Sequence, residues 1–200
     1  YAGLVPTLTD SHGRIAKDLR VSLTDRCNLR CEYCMPAEGL EWQPSEDVLK
    51  DDEVIRLIRI GVTQLGIQEV RFTGGEPLLR RGLPMLVRRA KELQPTAEVS
   101  LTTNGLGLDK IATSLAEAGL DRINISLDSV RAGDFHTITR RDRLEDVLAG
   151  ISAAQAAGLS PVKINAVLLR GINDDQAVEL LDWCISRNLE LRFVEQMPLD

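Results

Sequence analysis

The sequence predicts an α/β fold, a partial (βα)6 TIM-type barrel with parallel strands. Three observations predict it. Segments of helical periodicity alternate with short segments of strand periodicity, which favours a parallel sheet. A turn signal recurs between them: "LGI" at 65–67, "AGL" at 118–120 and at 157–159, and "RNL" at 187–189. In each, a Gly or Asn is placed to end a helix in the left-handed conformation before a strand begins. Finally, no G-x-G-x-x-G follows the first strand, so a dinucleotide-binding doubly wound sheet lacks its fingerprint.

Strands are expected over 19–24, 68–73, 98–104, 121–127, 161–168 and 190–196. The helix expected over 51–65 carries Val54, Leu57, Ile58, Val62 and Leu65 on one stripe, with Asp51, Asp52 and Glu53 at its positive end. A shorter helix fits 82–93. Residues 109–118 repeat the pattern with Ile111, Leu115 and Ala118, residues 143–157 with Leu144, Val147, Leu148 and Ile151, and residues 174–187 with Val178, Leu181 and Ile185. Cys184 continues that last stripe and is expected in the core.

Strands covered on both faces read as continuous apolar runs, but these alternate. "LRVSLT" sets Arg20, Ser22 and Thr24 against Leu19, Val21 and Leu23, and "VRFTG" sets Arg71 and Thr73 against Val70 and Phe72. Ser100, Thr102, Asn104, Asn124, Ser126, Asp128, Lys163 and Asn165 continue the polar face along later strands. The apolar face must meet the helices, so the polar face lines the lumen. An unpaired buried polar group costs about 1–3 kcal/mol, so such a lumen should hold water or a polar ligand. Arg20, Arg71 and Lys163 bring three cations to one cavity, which suits a polyanion such as a triphosphate. The bland alternative pairs each cation with a carboxylate.

The 200 residues make one domain or most of one, 1–200, of which 1–18 read as an N-terminal extension. The net charge of −6 argues against attraction of the whole surface to nucleic acid or membrane. No apolar run approaches a membrane span, and "YAGLVPTLTDSHGR" does not read as a signal peptide. Because the chain opens on Tyr1, the natural N-terminus is expected to lie upstream. Four cysteines, three of them clustered, do not resemble a secreted disulfide framework, and a reducing cytoplasmic setting fits better.

Cys27, Cys31 and Cys34 fall in "DRCNLRCEYCMP", just past the first strand, where α/β barrels place their chemistry. A disulfide would leave one thiol over. A Cys3His zinc site would need the distant His12 or His136. An iron–sulfur cube held by three thiolates would leave one iron open to a ligand. After the second strand, "TGGEP" at 73–77 offers two glycines that would let backbone approach a ligand closely.

C-x-x-x-C-x-x-C after the first strand of such a barrel, with Tyr33 before the third cysteine, resembles the radical S-adenosylmethionine enzymes. The resemblance implies a radical SAM core whose three cysteines hold a site-differentiated [4Fe-4S] cluster. The open iron would chelate S-adenosylmethionine, whose one-electron cleavage yields a 5′-deoxyadenosyl radical. "LRVSLTDRCNLRCEYCMP", "RFTGGEPLLR", "LTTNG", "DRINISLDS", "LLRGINDD" and "LRFVEQMP" resemble, in order, the GTP 3′,8-cyclases of molybdenum cofactor biosynthesis, from about Gly13 to Pro198.

That resemblance implies Cys27, Cys31 and Cys34 as cluster ligands, and Tyr33, Gly75, Ser126 and Met197 as contacts to S-adenosylmethionine. Arg20, Arg71, Thr102 and Lys163 would contact GTP. It implies hydrogen abstraction from C3′ of the ribose, then attack of C3′ on C8 of guanine, to give 3′,8-cyclo-7,8-dihydro-GTP. The implied partners are GTP, an electron donor of flavodoxin or ferredoxin type, the downstream cyclic pyranopterin monophosphate synthase and a second copy of the chain in a homodimer. The cyclases also carry a C-terminal segment with three further cysteines for a second [4Fe-4S] cluster that binds guanine. This sequence stops at Asp200, and Cys184 alone cannot replace that segment. Another radical SAM enzyme, such as a peptide-modifying one, would share the cysteines and the Gly-Gly turn but would not need three lumen cations.

Overall fold

The computed structural model describes residues 7–196. Its spine is a six-stranded sheet: β1 (Asp18–Ser22), β2 (Glu69–Thr73), β3 (Glu98–Thr103), β4 (Arg122–Ser126), β5 (Val162–Val167) and β6 (Glu190–Val194). The strands pair in chain order and every pair is parallel, with β1 and β6 at the two edges. The helices are α1 (Asp51–Gln64), α2 (Leu83–Lys91), α3 (Ala112–Glu117), α4 (Ala132–Thr139), α5 (Leu144–Ala156) and α6 (Ala177–Ile185). The predicted strand–helix alternation and partial barrel are therefore observed.

The helix ends follow the turn signals. Gly66, Gly119 and Gly158 have φ of +74°, +90° and +80°, and Asn188 takes φ +54°. The core lies between the apolar face of the sheet and the helices. Val70, Phe72, Val99, Leu101, Ile123, Ile125 and Ile164 are completely buried against Ile58, Leu86, Leu115 and Val147. Among the described residues, no helix is long and apolar enough to cross a membrane.

Two helix faces depart from expectation. In α1, Leu57 is exposed and Ile55 is buried beside Val54, Ile58 and Val62. In α6, Val178, Leu181 and Ile185 all face outward, whereas Leu180 and Cys184 are buried. Two apolar rows run along this helix one residue apart, and periodicity cannot choose between them. Packing beside β6 selects the row that contains Cys184, which is the core residue expected. The helix also starts late, because 174–176 form a 3₁₀ turn. Helix α4 was not anticipated at all, since "AGDFHTIT" combines a glycine, two threonines and little amphipathicity.

Register sets the layers of the polar face. Asp18, Glu69 and Glu98 stand side by side at the strand starts. Arg20, Arg71, Ser100 and Arg122 form the next row. Above it, Thr102, Asn124, Lys163 and Glu190 are neighbours, followed by Ser126, Asn165 and Arg192. On β1 to β4 charged groups thus dominate the two lower rows and hydroxyl and amide groups the upper ones, whereas β5 and β6 carry Lys163, Glu190 and Arg192 into the upper rows.

Candidate functional site

The cysteine loop is held in place mainly through its main chain. Leu23, Leu29 and Met35 are buried anchors along it. The Arg30 and Glu32 N–H groups donate to the carbonyls of Thr139 and Ile138 at 3.0 and 2.9 Å, which ties the loop to the end of α4. Arg140 donates from Nη1 to the Arg30 and Met35 carbonyls at 2.9 and 3.2 Å. Arg30 donates to the carbonyls of Cys27 and Leu29, both at 2.8 Å, and its guanidinium lies over the Trp42 ring. The N–H groups of Cys34 and Met35 both turn back to the Cys31 carbonyl.

The Gly-Gly turn packs onto the start of this loop. The Gly75 N–H donates to Thr24 O at 2.7 Å and the Glu76 N–H to Arg26 O at 2.8 Å. A Cβ on Gly74 would meet Thr24, and one on Gly75 would overlap the carbonyls of Asp25 and Arg26. The close approach expected to serve a ligand is taken up on this side by the chain's own backbone. Gly74 also has φ +142°, outside the range of ordinary side-chain-bearing residues.

These elements enclose a cavity of about 210 Å³ lined by Cys27, Cys31, Tyr33, Cys34, Gly75, Thr102 and Ser126, together with Asp128 and Phe135. Seven of the expected site residues therefore share one cavity. Met197 lies outside the described residues. Arg20, Arg71 and Lys163 do not line the cavity; Arg20 and Arg71 stand one row lower in the lumen, and Lys163 stands level with Thr102 two strands away. Thr102 joins the two regions, because its row continues through Asn124 to Lys163.

The lumen cations largely follow the bland alternative. Arg71 Nη2 is 3.1 Å from Asp18 Oδ2, and Lys163 Nζ is 2.6 Å from Glu190 Oε2. Arg20 is exposed. A further cation, Arg122, bridges Glu69 and Glu98 at 2.8 and 3.0 Å. Two buried lumen atoms, Arg71 Nε and Asn165 Oδ1, have no hydrogen-bond partner among the described residues, the situation expected of a lumen shaped for a polar ligand.

Three buried polar groups outside the expected site residues organise the cavity wall. Glu76, the last acid of the Gly-Gly turn, is fully buried. It accepts from the Leu78 N–H at 2.9 Å, from Thr103 Oγ1 at 2.7 Å and from the Asn104 N–H at 2.7 Å. Asp128 accepts from the Tyr33 hydroxyl and from the Val167 N–H, both at 2.8 Å. Asn104 Nδ2 reaches Cys27 Sγ at 3.8 Å. Alternation had already put Asn104 and Asp128 on the polar face of the lumen, but nothing in the periodicity marked Glu76 in "TGGEP", or the hydrogen bonds that these groups make.

Burial dominates the electrostatics. It raises Glu76 and Asp128 above their ordinary carboxylate values, against the hydrogen bonds that they accept. It also raises Cys27, and it pushes the Cys31 thiol up to about 12, with Asp128 adding repulsion. Cations or metal at the site would reverse this logic, because a coordinating thiol is deprotonated outright.

The donor set fits an iron–sulfur cluster better than a single ion. The three thiols share one cavity, yet among the described residues no three His, Cys, Asp or Glu side chains converge as ligands of one metal. Neither candidate fourth zinc ligand lines the cavity, and His136 Nδ1 is instead 2.8 Å from Asp142 Oδ1.

Known proteins agree with this geometry. The GTP 3′,8-cyclase of Streptomyces coelicolor is 62% identical over 193 residues, covering 96% of this chain and 57% of that protein. GTP 3′,8-cyclase 2 of Mycobacterium tuberculosis is 58% identical over 200 residues, covering 98% of this chain and 56% of that protein. The chain thus spans a little over half the length of these curated relatives. In fold it is similar to Streptococcus suis SuiB bound to S-adenosylmethionine, with TM-score 0.75 and 20% identity over 94% of this chain and 42% of that one. It is also similar to methylornithine synthase (PylB), with TM-score 0.70 and 15% identity over 92% of this chain and 55% of that one. The profile of the Radical SAM superfamily matches residues 21–184, from the first strand through the last helix. The chain belongs to the radical SAM superfamily, whose members pair a [4Fe-4S] cluster with S-adenosylmethionine.

Proposed function

We propose that this chain is the radical SAM core of a GTP 3′,8-cyclase, which converts GTP to 3′,8-cyclo-7,8-dihydro-GTP in molybdenum cofactor biosynthesis. The observation that carries the proposal is that Thr102, which lines the thiol cavity, shares a strand row with Asn124 and the lumen cation Lys163. The relatives named for this activity supply independent support.

Cys27, Cys31 and Cys34 would hold the cluster by one thiolate each. Tyr33, Gly75 and Ser126 border the space beside them and would receive S-adenosylmethionine, with Met197 assigned the same role. Bound together, cluster and S-adenosylmethionine supply a radical able to remove a ribose hydrogen. Thr102 and the cations Arg20, Arg71 and Lys163 would place GTP, with its sugar towards the cavity and its triphosphate deeper in the lumen. For this, Arg71 and Lys163 must exchange Asp18 and Glu190 for phosphate oxygens. Leu29 and Phe135, both buried, close one side of the cavity and limit water there. Guanine recognition by a second cluster is assigned to the part of the relatives that this chain does not span. A flavodoxin- or ferredoxin-type donor would supply electrons, and cyclic pyranopterin monophosphate synthase would take the product.

The test uses GTP deuterated at C3′, incubated anaerobically with S-adenosylmethionine, a reductant and a reconstituted protein that also carries the second-cluster segment of the relatives; the 200 residues alone should give no cyclised product. Deuterium should appear in 5′-deoxyadenosine, and mass spectrometry should detect the cyclised nucleotide. Cleavage of S-adenosylmethionine with all deuterium left in GTP would rule out this substrate assignment.

A further inference from the structure

We propose that Asn104 is a positioning residue for Cys27 that sets how readily the bound cluster is reduced. The proposal rests on the assignment of Cys27 as a cluster ligand.

Asn104 follows β3 directly, and every polar atom of its side chain is engaged. Its Oδ1 accepts from the Leu106 N–H at 3.0 Å, which fixes which end of the amide is oxygen. Its Nδ2 donates to Asn28 Oδ1 at 2.7 Å and points to Cys27 Sγ at 3.8 Å. Its own N–H donates to Glu76 Oε2 at 2.7 Å. The residue is buried, so water cannot readily substitute for the amide. Glu76 is in turn fixed by Thr103 and Leu78, so the Gly-Gly turn dictates where the amide stands relative to the sulfur.

The chemistry follows from the direction of the dipole. One-electron reduction adds negative charge to the cluster, and part of that charge falls on its sulfur ligands. An N–H pointing at a ligating sulfur stabilises the reduced state more than the oxidised one, and hydrogen bonds to sulfur are a recognised determinant of cluster potential. Removing the amide should therefore make reduction harder. Because Glu76 belongs to the turn that borders the S-adenosylmethionine space, the same chain of hydrogen bonds would connect occupancy of that space to the electronic setting of Cys27.

The experiment is a redox titration of the reconstituted holoprotein, with the reduced cluster followed by electron paramagnetic resonance. It compares wild type, Asn104→Ala, Asn104→Ser and Asn28→Ala. Serine can still accept from the Leu106 N–H but is too short to reach Cys27. Both Asn104 variants should bind wild-type amounts of iron and show midpoint potentials shifted to more negative values. Asn28→Ala removes the other partner of Nδ2 and should leave the potential near wild type. Unshifted potentials in both Asn104 variants, an equal shift in Asn28→Ala, or loss of iron from folded Asn104 variants would each overturn the proposal. The underlying ligand assignment has its own failure mode: a cluster that survives in Cys27→Ala would remove the premise itself.

Discussion

Gly75 stands against the carbonyl of Arg26 with no room between them for a side chain. Sequence reasoning placed that freedom at the service of a ligand, and on that view Gly75→Val should weaken S-adenosylmethionine binding while sparing the iron. The structure changes the expectation. Arg26 immediately precedes Cys27, so a side chain at position 75 must displace the backbone that delivers the first thiol. Gly75→Ala and Gly75→Val should both lose cluster assembly along with cofactor binding, and overpacking should cost about 1–3 kcal/mol or more in stability. Gly133 in α4 has open space around its Cα, and Gly133→Ala should be neutral or mildly stabilising. Iron content and thermal unfolding decide the matter. A Gly75→Val protein with full iron would show that the loop yields more easily than its hydrogen bonds imply.

The four cysteines should separate cleanly. Cys27→Ala, Cys31→Ala and Cys34→Ala should each abolish the visible absorbance of the reconstituted protein, because three ligands are the minimum that anchors a cube with one open iron. Cys184 is fully buried in α6, and burial pushes its thiol up to about 11, as suits a neutral core group. Cys184→Ala should keep the absorbance and cost only about 1–2 kcal/mol for the small void left behind. Loss of colour in Cys184→Ala would overturn the ligand set.

Asp128 gives a prediction in pH. It is buried and raised, so its native-state value exceeds the 3.8 of an ordinary aspartate. Between those two values the native state binds more protons than the unfolded chain. Stability of the apoprotein should therefore fall as pH rises through that window and level off above the raised value. Asp128→Asn keeps an acceptor for the Val167 N–H and removes the titration, so it should flatten this slope. Urea unfolding across the pH series measures it, and an unchanged slope in the variant would assign the effect to another group such as Glu76.

How far the site could be read in advance depends on whether a residue's signal is local. Left-handed Gly66, Gly119, Gly158 and Asn188 end their helices because of conformational preferences carried by the residues themselves, and these were legible. The strand alternation that put Arg71, Thr102 and Lys163 on one face was legible for the same reason. The partners of those cations were not. Asp18 and Glu190 lie 53 and 27 positions away from Arg71 and Lys163, and only closure of the sheet brings them together. The inward row of α6 and the clamp from Glu76 to Asn104 are likewise products of tertiary packing, which no single segment encodes.

The ion pair between Lys163 and Glu190 yields the sharpest test of the lumen. Lys163 is nearly buried while Glu190 is half exposed, so the carboxylate neutralises the lysine in the absence of substrate without being locked in place itself. On the proposed assignment of Lys163 to GTP, an incoming triphosphate must compete with it. Lys163→Ala removes a charge-assisted contact worth roughly 1.5–3 kcal/mol and should weaken GTP by about ten- to a hundred-fold, with much less effect on guanosine. Glu190→Gln should act in the opposite direction. A partly exposed pair contributes about 1 kcal/mol or less, so freeing the lysine should tighten GTP by up to about fivefold and leave guanosine unaffected. Both variants should keep the cluster spectrum, since neither residue lines the cysteine cavity. Calorimetry with the two ligands reads out all four affinities. If Glu190→Gln instead weakened GTP, Glu190 would be acting to hold Lys163 in its binding position rather than to compete with substrate, and the triphosphate would have to be placed against Arg20 and Arg71 alone.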